Sequence, residues 1–375
     1  MHRALVLSNA KSSNVGNGAL LHGSLHSLSE DTGREWAFDV VPWDEYSFGQ
    51  RSFNRTFVDT VNDHDALLVI GAVTFNGRVH YAAGGSRFNL GPDLLREIRS
   101  PIAFLGLSYR FWPGETYHHL KALDESIRYI ESREDFLFGL RNDGTRAWLQ
   151  SLIGREITGA VDVPDPAMFV PFVCAETKPD RPRIIFSLNN EDSVRRFRGT
   201  EAINAFLDVL ARAMVFCVEE LQCDVVLACH YFDDIEWVNP ILKRLPPPIA
   251  HMHVEVLGPV HIRNTESFYS EMAKAAVIVA MRVHSMTPAF GLGVPLVVIH
   301  SQDRIVHFVK NAGFEAWSVS HRDPRLESVL VQAIQTVLKD PVANLRQAAK
   351  IFSERRAQLK SFNTKLVEII EKYGS

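Results

Sequence analysis

The stretch VIVAMRVHSMTPAFGLGVPLVVI, residues 277–299, decides the fold. It opens and closes on short, unbroken β-rich runs, 277–280 and 296–299, with a helical pattern through Gly291 between them. Strands buried on both faces read as continuous apolar runs rather than alternating ones, and a strand–helix–strand unit of this kind makes parallel pairs. The same grammar runs outward in both directions. Strands are expected at 184–188, 225–228 and 254–257, and before them at 4–8, 38–41, 66–71, 102–107, 136–140 and 157–161. Helical patterns lie between, at 93–99, 145–152, 201–221, 267–274 and 325–339.

Two series of strands are separated by PFVCAETKPDRP, residues 171–182, which carries three prolines and no periodicity and reads as a linker. At ~150 residues per domain, 375 residues allow two or three domains. The expectation is an α/β protein of two Rossmann-like doubly wound domains facing a cleft, 1–170 and 183–341. A last segment, 342–375, repeats apolar residues at Leu345, Ala348, Phe352, Leu359, Phe362, Leu366, Ile369 and Tyr373, with Arg355 out of step. That spacing predicts one long amphipathic helix packing across the domains and returning to the first. Its other face is rich in Lys and Arg, including Lys360 and Lys365, which is compatible with peripheral contact with an anionic membrane.

Composition excludes several classes. With 46% apolar and 22% charged residues the chain is neither disordered nor fibrous. The balance of 40 Lys+Arg against 44 Asp+Glu leaves no basic field for a nucleic-acid partner. No apolar run approaches the ~20 residues of a transmembrane helix, and MHRALVLSNA turns polar too soon for a signal-peptide core. Cys174, Cys217, Cys223 and Cys229 form no CxxC pair, which suits a reduced, cytoplasmic interior better than disulfides or a zinc site.

Open α/β sheets bind ligands at the carboxyl ends of their strands, so the candidates there matter most. Asn14-Val15-Gly16-Asn17-Gly18 follows the first strand. Its glycines allow close backbone approach at a helix N-terminus, or simply a tight turn; the GxGxxG spacing of a dinucleotide site is absent. Arg282 and His284 follow the strand at 277–280. If that strand extends, both point to one side, a guanidinium fork beside an imidazole, suited to a small polyanion. Arg141 closes the strand at 136–140, with Asp143 as the natural N-cap of the next helix. Asp165, in DVPDP, is either a cleft carboxylate or part of a proline-fixed turn. His230 ends the strand at 225–228, and Asp233 and Asp234 behind it read as caps. Asp63-His64-Asp65 stands at the entrance of its strand, the wrong end for a ligand, and reads as a solvated turn. No metal-ligand spacing appears, so no metal is implied.

In order and spacing these pieces resemble the polysaccharide pyruvyl transferase family over about 300 residues. The carriers are Asn14-Val15-Gly16-Asn17, His64-Asp65-Ala66-Leu67-Leu68-Val69-Ile70-Gly71, Leu140-Arg141-Asn142-Asp143-Gly144-Thr145, Asp162-Val163-Pro164-Asp165-Pro166-Ala167, and MRVHSMTPAFGLGVPLVVIHSQDRIVHFVKNAG from Met281 to Gly313. The chain departs from the family's pattern at Ser285 (commonly alanine), Arg304 (commonly lysine) and Gly71-Ala72 (commonly Gly-Gly).

The resemblance implies a B-type glycosyltransferase-like architecture, phosphoenolpyruvate as donor, no other cofactor, and a sugar or polysaccharide-precursor acceptor, free or lipid-linked. The product is a pyruvate ketal. Arg282 and His284 match the family's donor-binding pair, and Arg141 a motif arginine assigned to the same donor. His284, titrating near neutrality, is the expected proton donor, Asp165 the expected base, and Gly16 with Asn17 the expected acceptor contact. The rival readings are a nucleotide-sugar glycosyltransferase of the same shape and a non-catalytic glycan- or anion-binding relative.

Overall fold

The computed structural model describes the chain except for Pro113, residues 173–178 and 259–260, and Ser375. Half of the expected linker at 171–182, with Cys174, therefore lies outside the described residues. Two compact units emerge, one of Met1–Ser12, Leu20–Phe169 and Arg355–Ser375, the other of Ser13–Ala19 and Val170–Glu354.

In the first unit, strands β1 (His2–Ser8), β2 (Trp36–Pro42), β3 (Ala66–Ile70), β4 (Val73–Phe75), β5 (Ile102–Tyr109), β6 (Phe136–Arg141) and β7 (Ala160–Val163) form a sheet of order β2-β1-β3-β5-β6-β7, with β4 beside β5. Every pairing is parallel. β3 and β5 are buried at every residue, which is why their sequences carry no alternation. β7 starts at Ala160 rather than 157; Ile157 is buried ahead of it as part of the core, not the ladder. His64, expected in a solvated turn, is also buried: its Nε2 meets Asp39 at 2.8 Å and its Nδ1 the Thr60 carbonyl at 2.7 Å.

In the second unit, β8 (Arg183–Ser187), β9 (Asp224–Ala228), β10 (Val254–Leu257), β11 (Val277–Ala280), β12 (Leu296–His300) and β13 (Ser318–Ser320) run parallel in the order β10-β9-β8-β11-β12-β13. Chain direction across the sheet reverses between β8 and β11, and the carboxyl ends there form the crevice that doubly wound sheets offer to ligands.

The final helix, Val342–Tyr373, buries its stripe as the spacing requires, and each part does so within its own unit. In the second, Asn344 is fully buried and bonds both the N–H and the carbonyl of Leu296, at 3.1 and 2.8 Å. In the first, Asn363 donates to Asp31 at 2.8 Å, Arg356 pairs with the same carboxylate, and Phe362 lies against Gly139. Among the described residues no helix is long and apolar enough to cross a membrane.

Candidate functional site

The β8/β11 crevice collects the charged side chains of the second unit. β11 stops at Ala280, and Arg282 is the N-cap of the Val283–Leu292 helix in extended conformation. The expected strand extension is therefore corrected: His284 stands in the first turn of that helix, not two residues along a strand from Arg282. Ser285 makes the switch from strand to helix, its hydroxyl donating to the Arg282 carbonyl at 2.7 Å and accepting the Arg282 N–H at 3.2 Å. An alanine there would supply neither bond.

Arg282 is 8% exposed. Its Nε donates to the Leu188 carbonyl and Asp234 Oδ2 at 3.2 and 3.1 Å, and its Nη2 to Asp234 Oδ1 at 2.5 Å. Its Nη1 lies 3.6 Å from Glu191, a looser contact with a half-buried carboxylate. Burial alone would loosen the guanidinium's hold on its proton, but Asp234 and Glu191 more than offset it and raise its pKa above the ordinary arginine value. Asp234 does cap the short helical turn Phe232–Asp234, as expected, but it is also the counter-ion of Arg282. Fully buried, it also accepts the backbone N–H groups of Asn190, His230 and Tyr231 at 2.9–3.0 Å.

Two further groups lie here, of which sequence reasoning did not single out Arg196. Arg196, 4% exposed, donates to the Glu191 carbonyl at 2.7 Å, to Ser301 Oγ at 2.6 Å and to the Asn189 carbonyl, all neutral acceptors. Burial, then the charge of Arg282, pushes its pKa down to about 10. Asp233 moves the other way, its pKa raised by burial and then by Glu236 and Asp234. Nothing in the sequence sets Arg196 apart from Arg195, and it is the short helix Ser193–Phe197 that turns Arg196 inward.

The Asn14–Gly18 turn joins this unit. Asn14 Oδ1 accepts the Gly16 N–H at 2.9 Å, and Val15 donates to the His230 carbonyl at 3.0 Å. Gly16 is required by proximity, since a Cβ there would come within 2.6 Å of Cβ and Cγ of His284 and closer still to Nδ1. The structure thus brings Gly16 to His284.

Arg141 and Asp165 belong to the first unit and to each other. Arg141 Nη1 pairs with Asp165 Oδ2 at 3.0 Å, with side chains 2% and 0% exposed. Arg141 Nε donates to the Gly106 carbonyl at 3.3 Å, and Asp165 Oδ1 accepts the Ala167 N–H at 2.9 Å. Arg141, expected as a donor ligand, and Asp165, expected as a base, are thus buried against each other. Asp143 is not the N-cap either, a place Gly144 takes; it is fully buried, accepting from Ser108 at 2.6 Å and Thr145 at 2.5 Å.

Among the described residues no cluster of His, Cys, Asp or Glu could hold a metal ion. An open groove of about 870 Å3, lined by Phe197, Phe206, Phe216, Arg212, His321 and Arg325 among others, holds none of the residues marked above.

A family model described as polysaccharide pyruvyl transferase matches residues 14–303, from the Asn14 turn past Arg282 and His284. No curated protein matches the chain. Among solved structures, the UDP complex of S. aureus MnaA is similar with a TM-score of 0.54 and 13% identity, over 93% of this chain and 91% of that one. A UDP-GlcNAc 2-epimerase from Neisseria meningitidis, bound to UDP-GlcNAc, gives 0.54 and 13% over 99% and 100%. The spinosyn forosaminyltransferase SpnP gives 0.51 and 14% over 99% of each chain. These likenesses show the fold: two parallel-sheet α/β units of the kind found in B-type glycosyltransferases and these epimerases.

Proposed function

The chain belongs to the polysaccharide pyruvyl transferase family, and from that premise we propose that it moves the pyruvyl group of phosphoenolpyruvate onto two hydroxyls of a sugar, forming a ketal. The observation that carries the reading is the pair of buried guanidiniums, Arg282 and Arg196, at the β8/β11 crevice beside His284. Phosphoenolpyruvate bears about three negative charges and needs cations and N–H donors in a partly dehydrated site.

In this reading Arg282 holds the donor's phosphate or carboxylate, and the buried charge of Arg196 deepens the local potential. A protonated His284 binds the donor and gives its proton to the methylene carbon, leaving C2 open to attack. The first sugar hydroxyl bonds to C2 and loses its proton, the C2–O bond to phosphate breaks, and the second hydroxyl bonds to C2 to close the ring, its proton passing to the released phosphate. With Asp165 buried against Arg141, the carboxylate at hand to accept a proton is Glu191, 3.6 Å from Arg282. The Gly16–Asn17 turn, in contact with His284, meets the acceptor, which is free or lipid-linked. Cys217, Cys223 and Cys229 are buried free thiols, in keeping with a cytoplasmic enzyme.

Substituting His284→Gln keeps a hydrogen-bonding side chain but removes the acid. Turnover, followed as phosphate release with donor and glycan, is expected to fall about 10²–10⁴-fold, with a smaller loss of donor affinity by calorimetry. Unchanged turnover would remove His284 from the chemistry. Tight binding of a UDP-sugar with none of phosphoenolpyruvate would replace the donor.

A further inference from the structure

His230, at the end of β9, has no part in the chemistry above, yet it is the least comfortable side chain in the second unit. It is fully buried, and among the described residues neither ring nitrogen has a hydrogen-bond partner. An unpaired buried polar group is destabilising, and the large majority of such groups in folded proteins are satisfied. The ring lies among aromatics, 4.8 Å from Phe268 and 6.2 Å from Tyr269 between centroids, where a phenylalanine would fill similar space without that penalty.

Its connections all lead to the donor pair. The Tyr269 hydroxyl donates to the His284 carbonyl at 2.8 Å. The His230 carbonyl accepts the Val15 N–H at 3.0 Å, one residue before the glycine on which His284 packs. The His230 N–H donates at 3.0 Å to Asp234, the counter-ion of Arg282. A buried polar group left unsatisfied in a folded protein calls for an explanation, and a functional role is one.

We propose that His230 is a positioning residue of this anion site, a buried polar ring seated on Tyr269 and tied through its backbone to Val15 and Asp234, which fixes where His284 and Arg282 stand. Burial, then the charges of Arg282 and His284, lower its pKa well below the usual histidine value, so the ring is neutral and does not compete with the anion for those cations. The proposal rests on the donor-site reading for the identity of the anion, but not for the existence of the site.

The test uses the full chain with His230→Phe and His230→Gln, titrated calorimetrically with phosphoenolpyruvate and separately with inorganic phosphate, alongside thermal unfolding. The phenylalanine variant is expected to unfold no earlier than the parent yet bind both anions at least tenfold more weakly, while glutamine, polar and neutral, recovers most of the loss. Phenylalanine binding within twofold of the parent overturns the proposal, as does glutamine binding no better than phenylalanine. Should phenylalanine not fold, His230→Leu is read by the same criterion, and failure of both apolar variants to fold also overturns it. A parent that binds phosphate but not phosphoenolpyruvate removes the donor reading and leaves His230 to be judged on phosphate. A parent that binds neither removes both.

Discussion

Each unit holds a buried arginine–aspartate pair at the carboxyl edge of its sheet, and the two pairs have different surroundings. Arg141 and Asp165 follow β6 and β7, neighbours at one end of the first sheet, and their side chains are 2% and 0% exposed. Arg282 and Asp234 follow β11 and β9, on either side of the reversal in the second sheet, and Arg282 keeps one nitrogen on the half-buried Glu191. Near the second pair lie a second buried guanidinium and a buried neutral imidazole. The chemistry of the pairs is the same, so position relative to the reversal is what sets the proposed ligand seat apart from the other pair.

The comparison breaks most visibly if the first pair is cut. Asp165→Ala strands the Arg141 charge in the interior, and removing one partner of a buried pair typically costs about 3–5 kcal/mol. Urea unfolding, followed through Trp43 and Trp148 of the first unit, is expected to show that unit unfolding at lower denaturant. Donor affinity of the folded fraction should stay within twofold. A variant of parental stability that has lost turnover would instead make Arg141 and Asp165 part of the site.

How much of this contrast was legible in the sequence follows from the range of the interactions. The buried parallel strands were, because β3, β5, β11 and β12 print themselves as unbroken apolar runs. Three-residue strands such as β4 and β13 carry no period to read. The motif around Arg282 was visible, but its geometry was not, since whether a strand runs on past Ala280 depends on the Ser285 hydroxyl closing the first helical turn. The reading of Asp234 as only a cap was incomplete, and that of Asp143 as an N-cap failed, for one reason. Their partners, Arg282 and Ser108, lie 48 and 35 residues away, where no spacing rule reaches.

A smaller effect sharpens the comparison at Gly16. A methyl group there meets the base of the His284 side chain, so the imidazole has to shift. Misplacement of a group by about 1 Å can reduce rate some 10²-fold, and Gly16→Ala is expected to lower turnover by about ten- to a hundredfold. Gly33, whose added Cβ meets nothing within 4 Å but whose φ is +59°, serves as the control for backbone strain alone. A Gly16→Ala enzyme with parental kinetics would detach that turn from the site.

The smallest effect is the response to acid, and it should divide the units by pH. His230, His300 and His321, all in the second unit, have pKa values lowered chiefly by burial. The unfolded chain binds protons on them at the usual value near 6.5 while the folded unit does not, so stability is lost as pH falls below about 6.5. The shifted carboxylates of the first unit behave oppositely in range. Hydrogen bonds from His64 and Arg3 lower Asp39, and Lys11 lowers Glu45, so their contribution persists until pH drops below the ordinary carboxylate values near 4. Hydrogen exchange between pH 7 and 5 is expected to show β8, β9 and β11 losing protection before β3 and β5. His230→Phe should flatten the slope by up to one proton, about 1.4 kcal/mol per pH unit. Equal loss in both sheets, or a first sheet that opens earlier, would mean that the imidazole burden of the second unit does not set its acid response.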